Sequence, residues 1–289
     1  MLTKVEIKTA QGLFLELKLN KPTNGYQIRD INGLDPSKAS VISSAFALLD
    51  GAQFQASRRE TRNLMFTIGL TPDHVSNSAA SLRAGLYGFF MPKSKITMLF
   101  YMEGWPVVSL VGYVESFGTA IFSSDPVIVI SVLCMEPNFA GLDPIIVKDP
   151  DDPAPTIGFE TKTAAQITGG ALAASIPYAG SIETGFLFSM TVTAARPTLN
   201  GFSILRGTES LVFVGPLAAG DRIAISTVAG SKYATVTRSG TTTPVSILYA
   251  LAPNSDWINL HPGSNDLLVK AEGDAILWEL SYYNRYGGL

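Results

Sequence analysis

Charged residues are scarce in this sequence, and cysteine and histidine are almost absent. Of its 289 residues, 16% are charged, one is cysteine and two are histidine. A single cysteine excludes an internal disulfide framework and any metal site that needs several thiolates. The charged fraction lies below the roughly 25% of ordinary globular domains. It indicates either a subunit that hides much of its surface in an assembly or a charge-poor monomeric β protein.

Long apolar runs and basic patches are missing as well. The apolar segment 127–135 holds Cys134, which is therefore expected to be a buried, inert thiol. Residues 163–182 are uncharged, but they are too rich in small polar residues to span a bilayer. Charges within residues 1–8 argue against a signal peptide. The net charge of −3 predicts no tight binding to nucleic acid. Taken together, these features predict a soluble protein that is made in a reducing cytoplasm and has no membrane contact.

Residues for catalysis or metal binding form no known pattern. His74 and His261 occur in neither a His-x-x-x-His nor a His-x-Glu spacing, so zinc has no ligand set. The Gly-x-Ser-x-Gly and Gly-x-x-x-x-Gly-Lys motifs are also absent. We therefore predict no catalytic residue, no metal, no cofactor and no enzymatic activity. A glycosidase-like pair of carboxylates stays open, because sequence does not give their separation. The isolated carboxylates near predicted strand ends are Glu103, Glu115, Glu136 and Glu160.

The first half of the chain reads as a β-sheet or split barrel. Apolar and polar residues alternate on both sides of Thr9–Gly12, which predicts a β-hairpin. Asp50-Gly51 predicts a second hairpin with arms 43–49 and 52–70. Three further strands are predicted at 96–102, 107–117 and 126–135.

One helix is predicted at about residues 72–91. Thr71 would cap its N-terminus and Pro72 would occupy its first position. Apolar residues including Leu82 and Leu86 recur at steps of three and four, as on a helix that packs against a sheet. Pro92 would end the helix.

A segment rich in proline and aspartate separates two predicted domains, 1–148 and 156–289. The linker is residues 149–155, whose prolines oppose regular structure and whose carboxylates keep it solvated. Short strands between Gly, Pro and Asn turns predict an antiparallel β-sandwich in the second half. There, Pro262-Gly263 and Asn265-Asp266 predict a tight reversal, after which a strand begins at Leu267.

The densest charge cluster is Arg58-Arg59-Glu60-Thr61-Arg62. On a single strand its members would alternate between two faces, so they do not form one basic patch. Two interpretations remain open. The cluster is either a solvated edge strand protected from aggregation by charge, or a polar row that contacts a neighbouring subunit. The possible inter-subunit contacts are Arg58, Arg59, Glu60 and Arg62.

Short motifs in a fixed order connect the chain with a known family. In the first half they are Ile28–Pro36, Asp50-Gly51, Ser57–Asn63, Leu82-Arg83, Leu86-Tyr87, Phe90–Lys93, Gly112–Ser116, Phe122-Ser123 and Cys134–Phe139. In the second half they are Thr184-Gly185, Pro197 with Asn200, Trp257–Asn265 and Tyr283–Tyr286. With these motifs the chain resembles the distal tail proteins of long-tailed bacteriophages.

The resemblance implies a mainly β fold in two domains. The first would be a belt domain with one packed helix that forms a hexameric ring around a channel, and the second a galectin-like antiparallel β-sandwich. The implied partners are other copies of the chain, the tail tube protein, the tail-tip hub protein and the tape-measure protein, with DNA only in transit. The implied location is the distal end of the phage tail, after synthesis in the bacterial cytoplasm. No catalytic residues are implied.

Two alternatives differ from this interpretation in function. The second domain would bind carbohydrate if aromatic residues such as Trp257, Tyr178 or Tyr282 were exposed and stacked on sugars. A glycan-cleaving enzyme is the other alternative. For a ring subunit, we expect at least one face of the first domain's sheet to be covered by a neighbouring copy.

Overall fold

The computed structural model describes residues 1–19, 21–46, 50–73, 77–119, 126–148, 171–193, 198–271 and 276–289. These residues form two compact units. The first contains Met1–Leu142 together with Tyr286–Leu289, and the second contains Asp143–Arg285. The predicted linker, residues 149–155, lies outside the described residues, as does His74.

The first unit is built on a curled antiparallel sheet. Its strands, with those of a separate hairpin, are β1 (Leu2–Thr9), β2 (Phe14–Lys18), β3 (Tyr26–Asn32), β4 (Ala39–Ala45), β5 (Ala52–Arg59), β6 (Arg62–Leu70), β7 (Lys95–Met102), β8 (Val108–Thr119), β9 (Val127–Cys134) and β10 (Phe139–Gly141). The main sheet runs in the order β2-β1-β7-β8-β9-β6-β3, and β10 pairs with β8. Gln27 Nε2 on the last strand donates to the Leu19 carbonyl beside the first, at 3.0 Å. The two ends of the sheet therefore approach each other, as in the predicted split barrel.

The core of the first unit follows from alternation along the strands. On β6, Leu64, Phe66 and Ile68 are fully buried. Asn63, which precedes Leu64, and Met65, which lies between Leu64 and Phe66, are exposed. Such a period of two places one face of a strand in the core and leaves the other face open. The first predicted hairpin and the three later strands are confirmed, with bounds that differ by one to two residues for the most part.

The helix α1 begins later than predicted, at Ala79, and ends at Phe90. Its N-cap is Ser78, whose side chain accepts a hydrogen bond from the Ser81 amide, so Thr71 and Pro72 do not start it. The predicted apolar stripe is confirmed over the observed span, because Leu82, Leu86 and Phe90 are buried. Ser78 and Thr71-Pro72 are both acceptable start signals in the sequence, and the helix begins after Ser78.

The second unit is a sandwich of two antiparallel sheets. Its strands are β11 (Ile145–Lys148), β12 (Ala171–Tyr178), β13 (Leu187–Val192), β14 (Thr198–Arg206), β15 (Glu209–Ala218), β16 (Arg222–Ser226), β17 (Tyr233–Thr237), β18 (Val245–Ser246), β19 (Gly263–Ala271) and β20 (Ile276–Tyr282), followed at the unit boundary by β21 (Arg285–Tyr286). One sheet runs β11-β20-β13-β16-β17-β18 and the other β12-β19-β14-β15. Inward-facing residues of both sheets share one buried core. The predicted mainly β fold with one helix is confirmed.

The predicted reversal near Asn265 is wrong in its position. Asn265 and Asp266 lie within β19, which already begins at Gly263. The Asn265 side chain is 3% exposed and fastens the preceding loop to the strand. Its Oδ1 accepts from the His261 amide at 2.8 Å, and its Nδ2 donates to the His261 and Gly263 carbonyls at 2.7 and 3.1 Å. An asparagine can copy such backbone bonding, and sequence alone does not separate this role from a turn residue.

Replacing Asn265 by aspartate is therefore expected to lower the stability of the second unit by about 2 kcal/mol. The change keeps the shape but removes the Nδ2 donor and turns a charged oxygen toward two carbonyls, which the Arg206 guanidinium, whose Nη1 lies 3.1 Å from Oδ1, offsets only in part. Urea unfolding of the variant measures the loss. Asn254→Asp, at an exposed position of the same unit, serves as the control and should change stability by less than about 0.5 kcal/mol. Equal stability of both variants would contradict the role of Asn265.

Asp221 is a buried carboxylate in the second unit, 1% exposed. Its Oδ2 accepts from Arg238 Nη1 at 2.6 Å and from the Ala218 amide at 2.9 Å, and its Oδ1 accepts from the Ser239 amide at 2.9 Å. Burial alone would raise the pKa of Asp221, but these hydrogen bonds outweigh it and hold the pKa below its usual 3.8.

Acidification is expected to weaken the second unit through Asp221. Because the folded pKa lies below the unfolded value of about 3.8, the stabilising contribution is present above that value and is lost as the pH falls through the folded pKa. Asp221→Asn should cost roughly 1–3 kcal/mol at neutral pH, since one acceptor becomes a donor that faces N–H groups. Thermal unfolding from pH 7 to pH 2 should show the gap to wild type narrowing. The exposed Asp266→Asn variant should follow wild type, and a constant gap would contradict the assignment.

Candidate interaction surface

The hairpin formed by β4 and β5 is the most exposed element of the first unit. Its two strands pair with each other and form a sheet of their own. All eight residues of β5 are exposed. Three large apolar side chains of the hairpin are exposed: Val41 at 64%, Ile42 at 51% and Phe54 at 63%. A lone two-stranded hairpin is marginally stable in water, and exposed apolar clusters mark interaction sites. The hairpin is therefore the candidate interaction surface.

One face of this hairpin combines apolar residues with a terminal cation. Ala56 and Arg58 lie two residues apart on β5 and so point to the same side, whereas Phe54 lies beyond a β-bulge and is opposite Ser43. Ile42 lies directly opposite Ala56 on β4 and shares that side. The two strands carry Arg58 and Arg59 and no acidic residue. The hairpin thus combines exposed apolar residues with two arginines at its base.

Three of the four predicted contact residues lie at the base of this hairpin and are exposed. Arg58 and Arg59 end β5, and Glu60 follows it. Arg59 Nη1 donates to Asn138 Oδ1 at 2.9 Å, and Glu60 Oε1 accepts from Ser40 Oγ at 2.5 Å. Among the described residues Arg58 has no oppositely charged partner. For these three residues, contact with another subunit stays a prediction.

Arg62 requires a correction. The second predicted hairpin arm, 52–70, is in fact two strands: β5 ends at Arg59 and β6 begins at Arg62. The charge cluster therefore does not lie on one strand. Arg62 is 2% exposed and belongs to the inward face of β6, with Leu64 and Phe66. A side chain buried in its own chain is not available to a neighbouring subunit.

The Arg62 guanidinium instead holds three chain segments together by donating to four carbonyl oxygens. Nε donates to Pro137 at 2.6 Å, Nη2 to Gly287 at 2.6 Å, and Nη1 to both Asp35, at 2.5 Å, and Gly33. Its Cζ also lies 4.6 Å from the centroid of the Phe139 ring, as in a cation–π contact. Burial lowers the pKa of the Arg62 guanidinium. The arrangement fixes residues 33–35, which lead into the hairpin.

The described residues offer no metal site in place of this surface. No group of three or more His, Cys, Asp or Glu residues among them could hold a metal ion. Cys134 is buried, as predicted, and burial raises the pKa of its thiol to about 12. In the part of the chain that the structure describes, no helix has the length and apolar character needed to cross a membrane.

The aromatic residues suggested for carbohydrate stacking do not lie at the surface. Tyr178 and Tyr282 are 3% and 2% exposed, and Tyr178 OH donates to the Ile182 carbonyl at 2.7 Å. Trp257 is partly buried against the core of the second unit, and Lys232 Nζ lies 5.5 Å from its ring centroid. The carbohydrate alternative requires exposed rings, and the two tyrosines do not meet this condition, because their strands turn them inward.

Comparison with known proteins gives this surface a context. Residues 179–286 match the family model described as the C-terminal domain of a siphovirus-type tail component. The second unit is therefore similar to the C-terminal domain of siphovirus-type tail components. No protein of curated function matches the sequence.

The fold is similar to that of a Dit protein. The chain is similar to the Dit protein of phage SPP1, described as a paradigm of the hub adsorption apparatus in phages that infect Gram-positive bacteria, with a TM-score of 0.62 and 14% identity over 97% of this chain and 98% of that chain. The resemblance to phage distal tail proteins is thereby confirmed. The matched family describes a tail component, in agreement with the prediction of a non-enzymatic chain.

Two structures of the phage P2 baseplate in its activated conformation, with Ca and with Sr, are more distantly similar. Both give a TM-score of 0.42 at 8% identity. The Ca structure is matched over 97% of this chain and 98% of that chain, and the Sr structure over 96% and 97%.

Proposed function

We propose that the chain is a structural subunit of a long-tailed phage tail that forms a hexameric ring. The ring joins the tail tube to the tail-tip hub around a channel for the tape-measure protein and, later, DNA. Its place is the distal end of the tail in the virion, and its partners are its own copies, the tube protein and the hub protein. Synthesis takes place in the cytoplasm of the infected bacterium.

The β4–β5 hairpin is the observation that carries this proposal. A chain with the fold of a tail component exposes an apolar hairpin that its own core does not cover. Burial of such a surface against another subunit would stabilise both, at about 25 cal/mol for each Å² of apolar area removed from water. The low charged fraction of 16% also suits a subunit with extensive contacts. The net charge of −3 suits a channel that lets DNA pass without holding it.

Native mass spectrometry of the purified protein tests the proposal. The expected species has six times the chain mass of 30.8 kDa, either alone or after addition of the tube or hub protein of the same phage. A monomer that stays monomeric with both partners would overturn the proposal.

Carbohydrate binding by the second unit is the second candidate function, and a cavity favours it. The cavity has a volume of about 240 Å³ and is lined by Tyr233, Tyr283, Ser231 and Ser281, among others. Both tyrosines are 40% exposed, so their rings are accessible, and the serines supply hydroxyls for a sugar. Of the residues that the sequence suggested, Tyr282 also lines the cavity, although it is only 2% exposed.

Binding to an array of bacterial surface glycans tests this second candidate. A double variant, Tyr233→Ala with Tyr283→Ala, should lose binding at least tenfold, since stacking on one ring contributes about 1 kcal/mol or more. The control is Tyr249→Ala, because Tyr249 is 82% exposed in the same unit and does not line the cavity. Absence of binding by wild type would end the second candidate and leave the first untouched.

A further inference from the structure

The cavity of the second unit lies on the outward face of the six-stranded sheet. Its floor is a row of side chains that crosses four neighbouring strands. The strand registers pair Ser281 with Leu187, Leu187 with Ser226, and Ser226 with Tyr233. Neighbouring strands are about 4.8 Å apart, so the row extends over roughly 14 Å. The cavity is therefore reached from solvent and is not part of the core between the two sheets.

A fixed turn forms one wall of the cavity. The buried Thr227 donates its amide to the Phe186 carbonyl at 2.9 Å, and its Oγ1 accepts from the Phe186 amide at 2.9 Å. The Ser231 amide donates to the Val228 carbonyl at 3.0 Å and closes the turn. Gly185 lies so near this turn that a Cβ there would stand 2.5 Å from the Val228 backbone. The wall is thus held by the backbone and is in place without a ligand, as in most small-molecule sites.

The polar side chains of the cavity carry hydrogen-bond donors that the chain does not use. Ser226 is fully buried, and its Oγ has one contact, as acceptor from the Val228 amide at 3.4 Å. A buried hydroxyl whose proton finds no acceptor costs free energy, so an oxygen of a ligand at this point would be stabilising. Among the described residues, none accepts a hydrogen bond from the side chains of Ser226, Ser231, Tyr233, Ser281, Tyr283 or Arg285.

Arg285 is the one charged side chain among the described residues that line the cavity. No described residue forms an ion pair with it. Its guanidinium has five N–H donors and no acceptor. Glu183 and Glu279, the acidic residues nearest in sequence to the lining residues, do not line the cavity. A ligand therefore meets one cation and no anion.

We infer that the cavity binds a saccharide unit that carries a phosphate or carboxylate group, with that group on Arg285. The inference rests on the second candidate function, carbohydrate binding. Tyr233 and Tyr283 offer their rings to the sugar, and the serine hydroxyls offer donors to its oxygens. An arginine forms two parallel hydrogen bonds with a phosphate or carboxylate, which fixes orientation as well as adding affinity. A neutral sugar uses the rings and hydroxyls but leaves the guanidinium without a partner.

The volume of the cavity limits the ligand to one sugar unit. An apolar cavity of about 150 Å³ holds a benzene ring. This cavity, at about 240 Å³, has room for one six-membered ring with its substituents. Pockets for drug-sized ligands are larger, at roughly 300–1,000 Å³. A longer glycan would therefore bind through a single unit.

Isothermal titration calorimetry of the full chain tests the inference. The probes are glucose 6-phosphate, glucuronate, glucose and inorganic phosphate. We expect the two anionic sugars to bind at least about tenfold more tightly than glucose or inorganic phosphate, because they alone engage both the tyrosine rings and Arg285. Added salt should weaken the binding of the anionic sugars and leave that of glucose unchanged, since salt screens charges that are open to solvent.

Variants of Arg285 assign the effect to this residue. Arg285→Gln should weaken the binding of both anionic sugars by about tenfold or more and leave glucose within about threefold of wild type. Arg285→Lys keeps the charge and should lose less. Arg222→Gln removes an exposed arginine of the same sheet outside the cavity and should have no effect. Arg285→Gln should unfold at the temperature of wild type, because the bond of Arg285 to Tyr178 comes from its backbone amide.

The outcomes separate this inference from the proposed functions. Equal binding of glucose and the anionic sugars, or unchanged binding by Arg285→Gln, would overturn the inference and leave carbohydrate binding standing. Inorganic phosphate that binds as tightly as glucose 6-phosphate would also overturn it, since the cavity would then recognise an anion alone. Absence of binding by every probe would overturn the inference, and absence of binding to the glycan array as well would end the second candidate. None of these results bears on the ring, which mass spectrometry tests.

Discussion

Replacing Arg62 by alanine is expected to destabilise the first unit by about 3–5 kcal/mol. The guanidinium donates to four carbonyl oxygens from segments that are distant in sequence. A buried polar group left without its partner costs about 1–3 kcal/mol, and at least two of the four carbonyls would lose theirs. Hydrogen exchange of the β6 and β9 amides at increasing urea concentration measures the loss in this unit. The amides of the second unit should keep their protection.

Two further variants define what Arg62 contributes. Arg62→Lys keeps the charge but not the planar fork of donors, so it should recover less than half of the lost stability. Arg59→Ala removes an exposed arginine with one exposed hydrogen bond and should change stability by less than about 0.5 kcal/mol. A loss of less than about 1 kcal/mol for Arg62→Ala would contradict the role assigned to this residue.

Replacing Gly33 by alanine is expected to cost about 3 kcal/mol, the second largest effect. Gly33 has a φ of +95°, which non-glycine residues adopt at a cost of about 1–2 kcal/mol. A Cβ at this position would also stand 2.1 Å from the Asn63 carbonyl oxygen, so the backbone must shift. The Gly33 carbonyl accepts from Arg62, and a shift would disturb that bond as well.

Gly12→Ala is the matched control for Gly33→Ala. Gly12 has a similar φ of +86°, but a Cβ there would meet nothing within 4 Å. Its loss should therefore reflect conformational strain alone, about 1–2 kcal/mol. The difference between the two variants isolates the close approach of Gly33 to Asn63. Equal losses, measured by the same exchange experiment, would show that this contact does not matter.

The sequence predicts the elements whose signals are local. Alternation along residues 64–68 and at Leu82, Leu86 and Phe90 identifies the buried positions, because burial on one face imposes the period. The start of the helix is missed, since Thr71-Pro72 and Ser78 are both acceptable start signals. Choosing between them requires knowing where the helix meets the sheet.

The long-range roles of polar residues are not predictable in the same way. Arg62 and Arg59 are three residues apart in one charged cluster, yet one is buried and the other exposed. A strand boundary lies between the two arginines. Distant parts of the chain also place the carbonyls of Pro137 and Gly287 beside Arg62, where they accept its hydrogen bonds. Asn265 is likewise a turn residue by type and a buried strand residue by position. No local pattern records such partners.

The candidate interaction surface is predictable from the sequence only in part. The sequence identifies Arg58 and Arg59 as exposed charges and the Asp50-Gly51 turn as a hairpin signal. It does not show that β4 and β5 form a sheet of their own, because the apolar residues Val41, Ile42 and Phe54 suggest core strands by composition. Only the structure shows that these side chains are exposed to solvent, which makes the hairpin a candidate for burial against a partner.

Electron microscopy of the purified protein, alone and with its tube and hub partners, tests the central claim most directly. The account predicts closed particles with six-fold symmetry, a central opening, and the first unit of each copy in contact with its neighbours through β4–β5. Single particles with a solvent-exposed hairpin in every sample, or assemblies with no opening along their axis, would contradict it.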